Sequence, residues 1–196
     1  MSVGRYGTGT LDISGTAVVT ASKGVRVGFS NGSNAGTGTL VVTNGGTVVT
    51  TSIYGGGTND AAQATVLFDG ATVKVTAAGA ILKDLASVTI GTGGLTIDNA
   101  YEASATNTTF KVAPGMTAIA MTGAGTLDLS QTTVELASAP RRKFVFATAT
   151  GDGTFTGDVP DVVCADGAGA GSFRVAFANG GKDIEISPRG LAIILR

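Results

Sequence analysis

Two stretches of the chain repeat each other almost letter for letter. Residues 7–14 read GTGTLDIS and residues 36–43 read GTGTLVVT, and each copy leads through a glycine-rich corner into a β-branched run, AVVTA at 17–21 or TVVTTS at 47–52. Leu11 and Leu40 are 29 positions apart. A self-similar unit of that length cannot bury an apolar face alone; it does so by stacking on its neighbours, which is the logic of a solenoid. Within the runs the apolar positions alternate. Leu11 and Ile13 fall on one face, Asp12 and Ser14 on the other, and Val73 and Val75 oppose Thr72, Lys74 and Thr76. Period two with β-branched side chains predicts strands with one buried and one wet face.

The repeat varies in length. Val3 and Val27 are 24 positions apart, and the longer spacing of the leucines is accounted for by NGSNA at 31–35, which reads as an inserted loop. A third coil spans 64–79, and shorter strand pieces follow at 87–90, 94–98, 109–113, 118–121, 125–130 and 133–137. At the strand spacing of parallel sheets, about seven coils would make a rod on the order of 35 Å long. Residues 77–87, with Ile81, Leu82 and Leu85 three to four apart, fit either a helical turn or a strand with a corner. Asn-Gly pairs at 31–32, 44–45 and 179–180 suit tight hairpin turns, yet the repetition of whole coils favours like strands stacking on like strands.

After residue 138 the texture changes. Pro140, Arg141, Arg142 and Lys143 precede the apolar run FVFATA at 144–149, and residues 172–187 read as a hairpin, FRVAF and DIEIS around a turn at Asn179-Gly180-Gly181. A solenoid end leaves backbone donors and acceptors unpaired, so a terminal module that covers the last rung is needed. The expected fold is all-β: a right-handed parallel β-helix (solenoid) over residues 1–137, opening in mid-repeat, and a C-terminal β cap within 138–196 that ends the solenoid.

The segments VGRYGTGTLDISGTAVVT and VGFSNGSNAGTGTLVVTNGGTVVT resemble the repeats of autotransporter-type passenger regions and related bacterial surface proteins, and KFVFATATGDGTFTGDV with FRVAFANGGKDIEIS resembles the block that closes such stretches. The resemblance implies a β-helix displayed outside the cell as stalk or adhesin. No series of membrane-barrel strands follows the closing block, which narrows the implied setting to an exported surface or secreted protein. The expected location is extracellular or at the cell surface of a Gram-negative bacterium, with Met1 and Ser2 at a fragment boundary and the export signal upstream.

Bulk properties restrict the partners. The formal net charge is −1 with 14% charged residues, which gives no footprint for nucleic acid or an anionic membrane. No run of eighteen apolar residues exists to span a bilayer. A single cysteine, Cys164, excludes an intrachain disulfide.

The chain has no histidine, so triads, general bases and metal sites built on imidazole are excluded. Cys164 without a neighbouring base reads as an inert thiol. A polysaccharide-cleaving β-helix would need acids stacked on neighbouring coils; Asp12 aligns with Val41, Asp69 with Thr43 and Ser14, and Asp98 and Asp128 do not align, so no acidic ladder forms. GGGTND at 55–60 lacks the spacing of a calcium-binding glycine-aspartate repeat and reads as a corner. Arg141, Arg142 and Lys143 fit an anionic glycan or a solvated strand entry. Thr8/Thr10 and Thr37/Thr39 invite an ice-binding reading, which needs a regular array over many coils. GLAIILR at 190–196 fits a last strand against the cap or a tail for a partner. No residue is assigned a catalytic, cofactor-binding or metal role, and no cofactor is expected. The function expected is a non-catalytic structural or adhesive segment of a larger exported protein, with a carbohydrate-active enzyme fragment as the alternative. A host surface or glycan, and end-to-end self-association through the open N-terminal rung, are the expected contacts.

Overall fold

A computed structural model of the chain describes residues 1–31, 34–56, 63–167 and 172–189. The chain winds through coils in order. The first holds β1 (Ser2–Val3), β2 (Thr8–Ser14) and β3 (Val18–Ala21), and the second β4 (Val25–Val27), β5 (Phe29–Asn31), β6 (Asn34–Thr43) and β7 (Thr47–Thr50). The third holds β8 (Ile53–Gly55), β9 (Ala64–Asp69) and β10 (Ala71–Val75), the fourth β11 (Gly79–Ile90) and β12 (Leu95–Asp98), and the fifth β13 (Glu102–Val112) and β14 (Ile119–Thr122). The sixth has β15 (Thr126–Leu136) and β16 (Phe144–Ala149); β17 (Thr154–Thr156), β18 (Asp161–Cys164) and the hairpin β19 (Phe173–Ala178) and β20 (Asp183–Pro188) close the chain.

These strands stack as three ladders. The first runs β1-β4-β8 through the leading halves of β11, β13 and β15 to β17, and the second runs β2-β6-β9 through their trailing halves to β18. The third runs β3-β7-β10-β12-β14-β16. Pairing along each stack is parallel, and the result is a parallel β-solenoid of about six turns, close to the length expected from the repeat. The registers match the spacings read from the repeat, Val3 opposite Val27 and Leu11 opposite Leu40.

Register turns the apolar alternation into columns. Leu11, Leu40, Val66, Val88, Phe110, Val134 and Val162 form one, and Ile13, Val42, Phe68, Ile90, Val112, Leu136 and Cys164 the next. All but Leu11, on the terminal rung, are buried. Each fully buried side chain of this size contributes roughly 1.5–3 kcal/mol. Most buried polar side-chain atoms among the described residues find partners, Gln63 Oε1 being an exception. Thr50 Oγ1 lies 3.0 Å from the carbonyls of Ala21 and Ser52. The wholly buried Asn99 donates to Tyr101 O at 3.0 Å and Thr126 O at 2.9 Å, and accepts from Tyr101 N–H.

The two readings left open for residues 77–87 resolve as strand. β11 turns its corner at Asp84, whose φ of 53° is left-handed, so Leu82 and Leu85 both point inward on either side of the bend. One coil on, Asn107 repeats the left-handed turn with φ 46° and donates its amide to Asp84 Oδ1 at 3.0 Å. Asn31, Asn34 and Ala35 of the NGSNA insertion fall in a small antiparallel ladder between β5 and β6, with Phe29 opposite Gly36, and residues 32–33 lie outside the described residues. The closing hairpin forms as read: β19 and β20 pair antiparallel around a 3-10 turn at Asn179–Gly181, and β20 pairs antiparallel with β16, burying Ile184 and Ile186 on the last rung of the third ladder. Thr148 donates to Asp183 at 2.7 Å, and Lys143 pairs with Glu185 at 3.0 Å.

The repeated GTGT motif has a packing cause. Gly38 lies opposite Gly9, and a Cβ on Gly38 would strike the backbone of Gly28 and Val3, where the first and second ladders meet at the corner. Gly7, in the other copy of the motif, has open space at the same test. Gly38→Ala should therefore lower the unfolding free energy by about 1–3 kcal/mol, while Gly7→Ala should leave it within about 0.5 kcal/mol. Urea denaturation followed by circular dichroism measures both, and equal effects would refute the packing cause.

Candidate functional site

The corner between the first and second ladders differs along the solenoid. In the fourth and fifth coils it is turned inside one continuous strand, at Asp84 and Asn107. In the first two coils it carries extra chain, the link 4–7 and the β5–β6 ladder. This elaborated corner gathers aromatic and cationic side chains. Tyr6, 53% exposed, meets Phe29 edge-to-face with ring centroids 5.8 Å apart. Arg26, on the outward face of β4 and in register with Tyr54 of β8, holds its guanidinium carbon 4.6 Å from the Phe29 centroid and 5.2 Å from that of Tyr54. Arg5 lies 5.0 Å from the centre of the Tyr6 ring.

Neither arginine has a carboxylate at ion-pair distance among the described residues, where the pairs formed are Lys74 with Asp98, Lys83 with Asp84 and Lys143 with Glu185. The contacts place guanidinium charge against ring surface at one outer corner of the solenoid.

The acids lie as the alignment predicts. Asp12 is opposite Val41, and Asp69 is opposite Thr43, which is opposite Ser14. Asp98 lies on the third ladder opposite Lys74, and Asp128 on the first opposite Ser104 and Thr156. Asp69 accepts from Gly93 N–H at 2.6 Å and Asp128 from Ser130 N–H at 2.8 Å, so both cap turns. Glu102 shares the first face with Asp128 but sits opposite Thr126. Lys143 is tied to the cap, and Arg141 and Arg142 are exposed. Residues 57–60 of GGGTND and the whole of GLAIILR lie outside the described residues.

One feature escaped the sequence reading. Thr10, Thr39, Thr65 and Ser87 stand in register as a hydroxyl column along the second ladder, and Thr109 and Thr133 pair in register beyond the irregularity between Leu85 and Val88. The motif GTGTL marks only its first two members; the rest emerge once coils of unequal length are paired. Two positions along each strand, the neighbouring column reads Asp12, Val41, Leu67, Thr89, Lys111, Glu135, and these charges and apolar groups interrupt the wide hydroxyl array that ice binding needs.

No family model, curated protein or solved structure matches this chain. No helix among the described residues is long and apolar enough to cross a membrane.

Cys164 ends one interior column and is buried. Desolvation raises its thiol pKa above the ordinary value, and the neighbouring carboxylate of Asp166 raises it further. The folded state thus holds the thiol proton more tightly than the unfolded chain does. This contribution is fully present below the ordinary thiol pKa and is lost as pH rises through the folded value. Cys164→Ala should lose less stability than the parent between pH 7 and pH 10, and native protein should resist a thiol reagent that modifies the urea-unfolded chain at once. Rapid native labelling would contradict the burial argument.

Proposed function

We propose that the chain is a non-catalytic structural or adhesive β-solenoid segment of a larger exported bacterial surface protein, displayed outside a Gram-negative cell. The observation that carries this reading is the persistence of the interior columns through coils of unequal length. Val3–Val27 spans 24 positions and Leu11–Leu40 spans 29, yet register and burial continue from coil to coil. A body of constant cross-section with its irregularities confined to outer corners is a spacer that presents surface features. The resemblance of residues 3–20 and 27–50 to autotransporter-type passenger repeats supports the same setting. Asp69, Asp98 and Asp128 lie on three different ladders, and Asp69 and Asp128 each accept a backbone N–H at a turn, which supports a non-catalytic role; Glu102 and Asp128 share the first face two positions out of register.

Among the described residues no strand pairs with the outer edges of β1, β2 and β3, where Leu11 and Val19 are only partly covered and Val18 is 61% exposed. End-to-end association of copies through this rung follows from the need of strand edges for partners. Sedimentation at increasing protein concentration should show rising mass; a monomer at every concentration would sink that part of the proposal. For the adhesive role, the chain displayed on an otherwise non-adherent bacterium should increase retention on cultured cells or immobilised glycans. Retention equal to that of the bare bacterium would overturn it.

A further inference from the structure

We infer that the elaborated corner of the first two coils binds an acidic saccharide through Arg5, Tyr6, Arg26, Phe29 and Tyr54. This inference rests on the adhesive reading and names its ligand class. Three independent observations converge. The first is the cation–aromatic contact: Arg26 lies 4.6 Å from the Phe29 ring centre and 5.2 Å from that of Tyr54, which restricts its side chain, and a planar carboxylate is the group that a guanidinium receives with two parallel hydrogen bonds.

The second is local charge: the first 60 residues contain Arg5, Lys23 and Arg26 against Asp12 and Asp60, and Asp12 stands on the outward face of the second ladder. Among the described residues neither Arg5 nor Arg26 has a carboxylate at ion-pair distance, which favours an anionic partner.

The third is the exposed ring. Tyr6 is one of the few large apolar side chains left exposed, and it is braced by Phe29 and Arg5. A half-exposed phenol ring offers an apolar face and a hydroxyl, suited to the C–H face and hydroxyl rim of a pyranose. A nucleic acid strand shares the anionic character but needs a track of cations along its backbone, and two arginines at one corner do not form one.

The test titrates the whole chain with oligogalacturonate by calorimetry, in parallel with neutral dextran oligosaccharide and single-stranded DNA, at low and high salt. Binding to oligogalacturonate that weakens with salt is expected. Arg26→Gln should weaken it by about tenfold or more, as expected for a lost charge-assisted hydrogen bond, and Arg5→Gln and Tyr6→Ala should each weaken it measurably. Arg142→Gln, at the far end of the solenoid, should leave it within about twofold. Circular dichroism checks that each variant is folded, and if Arg26→Gln is not, the two exposed-residue variants decide. No binding to oligogalacturonate, equal binding to dextran, tighter binding to DNA, or indifference to these substitutions would overturn the inference. Cell retention that survives in variants unable to bind the saccharide would leave the adhesive reading standing and remove this ligand from it. Saccharide binding without cell retention would do the reverse.

Discussion

The structure depends on main-chain hydrogen bonds that run along the axis from each coil to the next. Parallel pairing places residue over residue, so one choice of register decides every side-chain column at once. That choice constrains the corners, which must let successive backbones approach at strand spacing. Corner atoms join the ladders directly: Gly45 N–H donates to Gly70 O at 2.7 Å, and Gly70 N–H to Gly94 O at 2.9 Å. Gly45, Gly70 and Gly94 all have left-handed φ, at 93°, 65° and 72°, where a side chain would be strained. Hydrophobic burial then supplies the stability, but only because the backbone has aligned the groups to be buried.

Much of this was legible in the residues. The twin motifs predicted their own partners, and the closing hairpin was readable because FRVAF and DIEIS alternate around a glycine turn. Residues 77–87 resisted because a left-handed corner at Asp84 interrupts the period of two, bringing Leu82 and Leu85 to the same interior with a spacing that mimics a helix. The arginine–aromatic corner was not legible. Arg26 and Tyr54 are 28 positions apart, and their adjacency follows from the pairing of β4 with β8 across an insertion that carries no periodic signal. The hydroxyl column was hidden for the same reason.

Scaffold and surface thus divide the chain's residues between them. Inward positions repeat with little variety, while the outward columns and above all the corners differ from coil to coil. The concentration of tyrosine, phenylalanine and arginine at one elaborated corner, against threonine and scattered charge elsewhere, is where the molecule departs most from a plain rod.

The variable spacing of the coils bears on how such a chain changes over generations. Each rung touches only the one before and the one after, so a gain or loss of residues at a bend alters neither the stacking above nor that below. Five residues entered at 31–35 while Leu11 and Leu40 stayed in line. New recognition loops can therefore be grafted onto, or trimmed from, the bends of such a chain with the stem unaware of the exchange, and its inherited variety accumulates at the rim.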